Sequence, residues 1–141
     1  TELGLSNSAA KLFEKGILLL AMYASIGKCC ISKVDISTSQ AILGIKTNKQ
    51  IDTEFLYYYF LLHKDNLANS GQQGTQSNLN KGMVEDITLI LPRIEEQTVI
   101  AQILSDMDKE IEILKSKLSK TKAIKEGMMS ELLTGKTRLV S

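Results

Sequence analysis

The chain has 141 residues, and its 17 lysines and arginines nearly balance 16 aspartates and glutamates, which leaves a formal net charge of +1. This length allows one modest domain plus an extended element and excludes two full globular domains. A net charge this small gives no sign of a strongly basic surface. A role in binding nucleic acid must therefore be argued from particular residues.

The first fifty residues contain short apolar runs separated by glycines and polar stretches, a pattern typical of strands. It predicts buried strands over residues 17–22, 28–32 and 40–46, with the polar stretch 35–39 as a break. These strands and the helices that follow predict an α+β fold.

The two cysteines, Cys29 and Cys30, are adjacent. Adjacency suits neither the spacing of zinc ligands nor an easily closed disulfide, so reduced thiols in a reducing compartment are expected. The apolar run at 16–24 is too short to cross a bilayer and lies too far from the start for a signal peptide. These features predict a cytoplasmic protein with no membrane partner.

A helix is predicted to begin at Asp52, because an aspartate followed by Thr53 and Glu54 is typical of a helix start. The single histidine, His63, falls on this helix, and the absence of ligand spacing around it predicts no metal site. A polar loop rich in asparagine and glutamine follows at 69–78, and a last strand is predicted over 85–91.

A long helix is predicted from about residue 94 to 134, after Pro92 and before Gly135. Its heptad seam repeats every 3.5 residues on average, the period of a left-handed coiled coil. At 1.5 Å per residue the helix would be roughly 60 Å long. The heptad seam comprises Ile100, Leu104, Met107, Ile111, Leu114, Leu118, Thr121, Lys125, Met128 and Leu132, and its apolar members are the predicted coiled-coil interface.

Charges along the predicted helix are segregated, with acids concentrated between residues 95 and 112 and lysines between 115 and 125. Two parallel copies would bring like charges together, whereas antiparallel copies would match acid to base. A helix dipole also favours acids first and bases last, but its effect fades beyond the end turns. Antiparallel pairing is therefore favoured.

Two enzyme motifs occur without their context. Residues 25–28 match S-x-x-K, but the companion S-D-N and K-T-G motifs are absent. Residues 135–137 resemble the end of a phosphate-binding loop, but Ser130 replaces its first glycine and the segment follows a helix. The sequence predicts neither a catalytic residue nor a metal ligand.

The region around Pro92 resembles the specificity subunit of type I restriction-modification systems. In that family a proline and a Glu-Gln pair, here Glu96-Gln97, open a conserved spacer helix, and a Leu-Thr-Gly-Lys segment, here 133–136, closes it. Upstream segments resemble the rear of a target-recognition domain: 24–28 its "siGk" turn, 39–41 its "nQa" strand, 55–58 its helix and 71–80 its loop.

A full member of that family has two target-recognition domains, each followed by a spacer helix, and the two helices pair antiparallel. The resemblance here covers the latter part of one recognition domain and one spacer helix, without the usual tryptophan-containing opening. It implies a partial recognition domain with a mixed β-sheet over residues 1–92, a spacer helix over 93–135 and a tail over 136–141.

The resemblance implies a non-catalytic subunit that reads one half of a bipartite double-stranded DNA site. Modification subunits would dock on it and bring S-adenosylmethionine, so that this chain needs no cofactor of its own, and a restriction subunit would bind them. With one spacer helix, an antiparallel homodimer is expected.

The residues themselves suggest where DNA would bind. Amide side chains of the loop can pair with base edges, lysines can contact phosphates, and the "siGk" turn adds a serine. The candidates are Ser25, Lys28, Lys33, Lys46, Gln72, Gln73, Gln76, Asn78 and Lys81. Alternatively, each lysine is a solvated surface charge, the loop is a polar turn, and the chain is a coiled-coil adaptor that binds no DNA.

Overall fold

The computed structural model describes residues 2–8, 10–23, 25–70 and 79–140. Short strands and helices precede one long helix, so the predicted α+β class is confirmed. The strands are β1 (Lys11–Phe13), β2 (Leu18–Ala21), β3 (Cys29–Ile31), β4 (Ile36–Thr38) and β5 (Ile42–Ile45). The helices are α1 (Glu2–Ser6), α2 (Thr53–Leu62), α3 (Lys64–Ser70), α4 (Lys81–Glu85) and α5 (Ile94–Leu133).

The main sheet has three strands in the order β3-β2-β5, and these correspond to the three predicted strands. Strand β2 is central and pairs antiparallel with both neighbours, with Leu18 opposite Ile31 and Ile45. A mixed sheet was the expectation, but every described pairing is antiparallel. Only seven residues join β2 to β3, fewer than the dozen or more that a parallel crossover requires.

A second sheet joins β1 and β4, with Leu12 opposite Ser37. The prediction of a break over 35–39 is therefore wrong. Strand β4 is short and mostly exposed, so it lacks the buried apolar run by which the other strands were identified. The backbone N–H of Lys15 also donates to Asp35 Oδ1 at 2.9 Å, which fixes the ends of the pair.

Helix α2 begins where the sequence predicts, because Asp52 Oδ1 accepts a hydrogen bond from the Phe55 backbone N–H at 2.9 Å. Its buried face packs against the sheet. The core cluster consists of Leu18, Leu20, Leu56, Phe60, Leu67 and Leu79. Each such side chain contributes about 1.5–3 kcal/mol when fully buried.

The prediction of a strand over residues 85–91 is wrong. Asn80 Oδ1 accepts from the Met83 backbone N–H at 2.9 Å and begins helix α4, and residues 86–93 have no regular structure. Ile87 and Leu89 pack against the core while Ile90 is 92% exposed. This alternation imitates a strand, but the segment has no pairing partner among the described strands.

Helix α5 runs within a residue of its predicted bounds, and Gly135, with φ of 73°, lies in the left-handed conformation expected just past its end. The chain divides into two compact units, Thr1–Ala101 and Gln102–Ser141, so the first turns of α5 belong to the first unit. None of the helices in the described ranges is long and apolar enough to span a membrane.

Candidate nucleic-acid interface

The turn between β2 and β3 carries Ser25 and Lys28 on its surface. Lys28 N–H donates to the Ser25 carbonyl at 3.0 Å, and the Lys28 carbonyl accepts from Ala21 N–H at 2.9 Å. Gly27 has a φ of +77°, and a Cβ there would lie 2.9 Å from the Lys64 carbonyl oxygen of α3. Glycine therefore allows the turn to rest on α3 and leaves Ser25 and Lys28 exposed.

The described chain resumes at the same edge of the sheet, directly after the amide-rich loop. Leu79 is 1% exposed, and its N–H donates to the Met22 carbonyl at 3.1 Å. Residues 71–78 lie outside the described residues, so the predicted base-reading side chains of this loop are not described. They are Gln72, Gln73, Gln76 and Asn78.

Lys81 follows this anchor at the start of α4 and is exposed. Its Nζ lies 3.0 Å from Glu85 Oε1, an exposed pair of the kind that contributes little to stability. We call the edge that carries residues 22, 23 and 25–28, together with Leu79 and Lys81, the turn edge.

Lys33 and Lys46 lie at the opposite edge. Strands β3 and β5 end at Ile31 and Ile45, and both of these residues are paired with Leu18, at the start of β2. The four residues of β2 separate the two edges by about 13 Å. The structure therefore brings Ser25, Lys28 and Lys81 to one edge and Lys33 and Lys46 to the other.

A cleft of about 610 Å³ opens beside the turn edge. Met22 and Lys81 line it together with two polar residues that sequence reasoning did not select, Lys11 and Gln40. Lys11 belongs to β1, a strand too short to be recognised. Gln40 lies in the segment that resembles the family's "nQa" strand, and this was the available signal.

Gln97 joins the start of α5 to the first unit. It is 0% exposed, yet all its amide hydrogen-bonding groups have partners. Its Nε2 donates to the carbonyls of Gln50 (3.0 Å) and Pro92 (2.9 Å), and its Oε1 accepts from the backbone N–H of Asp52 at 2.9 Å. Gln97, the second residue of the Glu-Gln pair, thus connects the first turns of α5 to the segments at residues 50–52 and 92; we call this connection the joint.

The heptad seam of α5 is uncovered in this chain. Five of its apolar side chains are between 46 and 56% exposed: Met107, Ile111, Leu114, Leu118 and Met128. The predicted interface residues Ile100, Leu104 and Leu132 are half-buried. The charged side chains of the helix are exposed, and Lys109 Nζ lies 2.7 Å from Asp106 Oδ1.

Hydrogen bonds from Lys109 and Gln102 hold the pKa of Asp106 below its ordinary value. In the first unit, burial, reinforced by the charge of Cys30, raises the pKa of the half-buried Cys29 thiol. Within the described ranges, no three His, Cys, Asp or Glu side chains are grouped to hold a metal ion.

Residues 1–123 match the model of the family described as the type I restriction modification DNA specificity domain. The chain belongs to this family. The resemblance found in the motifs around Pro92 and Gln97 is therefore confirmed.

Two similar curated proteins come from Methanocaldococcus jannaschii. The chain is 30% identical over 135 residues to a putative type I restriction enzyme MjaX specificity subunit, covering 95% of this chain and 32% of that protein. It is 32% identical over 131 residues to the type I restriction enzyme MjaVIII specificity subunit, covering 92% and 31%. The chain thus spans about a third of the length of these relatives.

Solved structures show the same fold. One chain, from a structure concerned with complex assembly and conformational transition of the type I R-M system, superposes with a TM-score of 0.72 at 18% identity. The HsdS subunit from Thermoanaerobacter tengcongensis superposes with a TM-score of 0.66 at 16% identity. Each match covers 86% of this chain, and 31% and 30% of the respective solved chains.

Proposed function

We propose that this chain is a specificity component of a type I restriction-modification complex and reads one half of a bipartite double-stranded DNA site. The observation that carries the proposal is the convergence of Ser25, Lys28 and Lys81 with the end of the amide-rich loop at the turn edge. A serine, two ammonium groups and a run of amides supply both phosphate contacts and base-edge contacts.

The two lysine groups suit the dimensions of DNA. The turn edge and the edge with Lys33 and Lys46 are about 13 Å apart, and the major groove of B-DNA is about 12 Å wide. Lysines on the two edges can therefore contact phosphates on both sides of one groove. Specificity domains are non-catalytic in themselves, so methylation or cleavage requires partner subunits.

Titration of fluorescent duplex DNA tests this proposal. Binding should weaken steeply with salt, because each lysine–phosphate contact releases counterions. Lys28→Ala combined with Lys81→Ala should lower the salt slope by about two. If the wild-type chain shows no salt-dependent binding, the adaptor alternative, which the uncovered heptad seam favours, replaces this one.

The loop has its own test. Alanine at Gln72, Gln73, Gln76 and Asn78 should change the preferred DNA sequence and leave the free energy of unfolding within about 0.5 kcal/mol. Large destabilisation with unaltered sequence preference would instead mean that the loop is a structural turn.

Helix α5 is the proposed scaffold for partner subunits and for a second copy. Its uncovered seam and segregated charges suit an antiparallel homodimer, and a two-fold axis would make the recognised site a split palindrome. The modification subunits would bring S-adenosylmethionine, and the restriction subunit would join through them, in the cytoplasm where DNA and cofactor meet.

A pull-down with the modification subunit tests the scaffold role. The intact chain should be retained, whereas a chain ending at Ala101, which keeps the whole first unit, should be lost because it lacks the rest of α5. Equal retention of the two chains would contradict the role of the helix.

A further inference from the structure

The cleft beside the turn edge has an apolar floor and a polar rim. Its floor includes Phe13, whose ring approaches so closely that a Cβ on Gly44 would lie 2.4 Å from it. Glycine at this position of β5 lets the Phe13 ring of β1 lie against the main sheet. The cleft is therefore bounded by residues of both sheets.

We infer that this cleft is the base-reading part of the DNA interface, with Gln40 on a base edge and Lys11 and Lys81 on flanking phosphates. The inference rests on the DNA-binding function proposed above. It adds Lys11 and Gln40 to that interface and assigns them different roles.

Gln40 is suited to read a base because its backbone is held while its side chain is exposed. It lies in a tight turn in which Ile42 N–H donates to the Ser39 carbonyl at 3.1 Å and Ala41 N–H donates to Ser39 Oγ at 3.3 Å. A carboxamide carries a donor and an acceptor side by side, which matches the N6 and N7 groups of adenine. A held backbone lowers the entropy lost when such a contact forms.

Lys11 and Lys81 are suited to phosphates because they reach one cleft from separate segments, β1 and α4. Lys81 also pairs with Glu85 at 3.0 Å, but both side chains are exposed and such a pair is weak, so a phosphate can compete with the carboxylate. A phosphate bound at this rim would meet the ammonium groups of both lysines. The loop end at Leu79 lies next to them, since its partner Met22 also lines the cleft. The cleft therefore adjoins the point at which the described chain resumes after the loop.

The test selects preferred sites from a randomised duplex library and then measures affinity over a range of salt concentrations. Lys11→Ala should reduce the salt slope by about one and leave the selected sequence unchanged. Gln40→Ala should keep the slope and lose about tenfold or more of the preference at one base position. Lys120→Ala and Gln102→Ala, which make the same changes on α5, are the matched controls and should behave as wild type.

Failure of the inference differs from failure of the proposed function. If the wild-type chain does not bind the library, DNA recognition and the cleft assignment are both overturned. If it binds and the Lys11 and Gln40 variants match wild type, only the cleft assignment is overturned. Thermal melting of every variant shows that it is folded, and Lys11→Arg, which keeps the charge, should restore the slope if Lys11→Ala loses it.

Discussion

The first turns of helix α5 and its middle part differ in what they expose. In its first turns a polar side chain, Gln97, is completely buried and has a partner for each hydrogen-bonding group. Further along, Met107, Ile111 and Leu114 are apolar and about half exposed. The buried polar group of the first unit is therefore satisfied within that unit, whereas the second unit carries an apolar face of the kind that in soluble proteins marks an interface.

Breaking the seam should have the largest effect. Ile111 and Leu114 are 46% and 56% exposed before association. Replacing both by Asp therefore removes from a dimer the burial of about half of four apolar side chains, roughly 3–6 kcal/mol of association free energy. Sedimentation at micromolar concentration should show a dimer for wild type and a monomer for the variant. Ser116→Asp with Ala123→Asp adds the same charges on the opposite face and should remain dimeric; a monomeric wild type would contradict the interface.

Breaking the joint should have a smaller effect that is confined to the first unit. Gln97→Leu leaves three backbone groups, at Gln50, Asp52 and Pro92, without their buried partner, and should lower the free energy of unfolding by about 2–4 kcal/mol. Urea denaturation followed by tyrosine fluorescence measures this loss. Gln102→Leu should cost less than about 0.5 kcal/mol because its amide is exposed. Equal costs would mean that burial of Gln97 is unimportant.

The sequence predicted the elements whose signals are local. Leu18–Ala21 reads as a strand because every residue is apolar, and Asp52 and Gly135 mark helix ends through their own chemistry. The pairing of β1 with β4 depends on contacts between short, exposed segments, and the alternation at 87–90 imitated a strand that has no partner. Gln97 gave no signal of burial, because its three partners come together only in the folded chain. Lys11 was missed for the same reason.

Alkaline pH should distinguish the two units. The pKa of Cys29 is raised above its ordinary value of 9.0, so the folded first unit holds this proton more tightly than the unfolded chain. The contribution of the Cys29 thiol to the free energy of unfolding is therefore fully present below pH 9 and is lost as pH rises through the raised pKa. Denaturation series across this range should show the decline, and Cys29→Ser should remove it. If the Cys29→Ser variant shows the same pH dependence as wild type, another titrating group causes the decline.

The smallest predicted effect is the response of the Asp106–Lys109 pair of the second unit to acid pH. The pKa of Asp106 is lowered, so its pairing with Lys109 is present above the ordinary value of 3.8 and is lost as pH falls through the lowered value. A carboxyl titration by NMR should find Asp106 below its ordinary value, and Lys109→Ala should raise it. An unshifted Asp106 in wild type would mean that the pair does not persist in solution.

The bonds of Gln97 have a consequence for how specificity can diverge. All three are made to backbone atoms, at positions 50, 52 and 92, and none is made to a side chain. Side chains at positions 50 and 92 can therefore be exchanged without altering the groups that hold α5, provided the backbone keeps its course. Under the proposed function, the DNA target of the first unit can therefore change while these hydrogen bonds to α5 are kept.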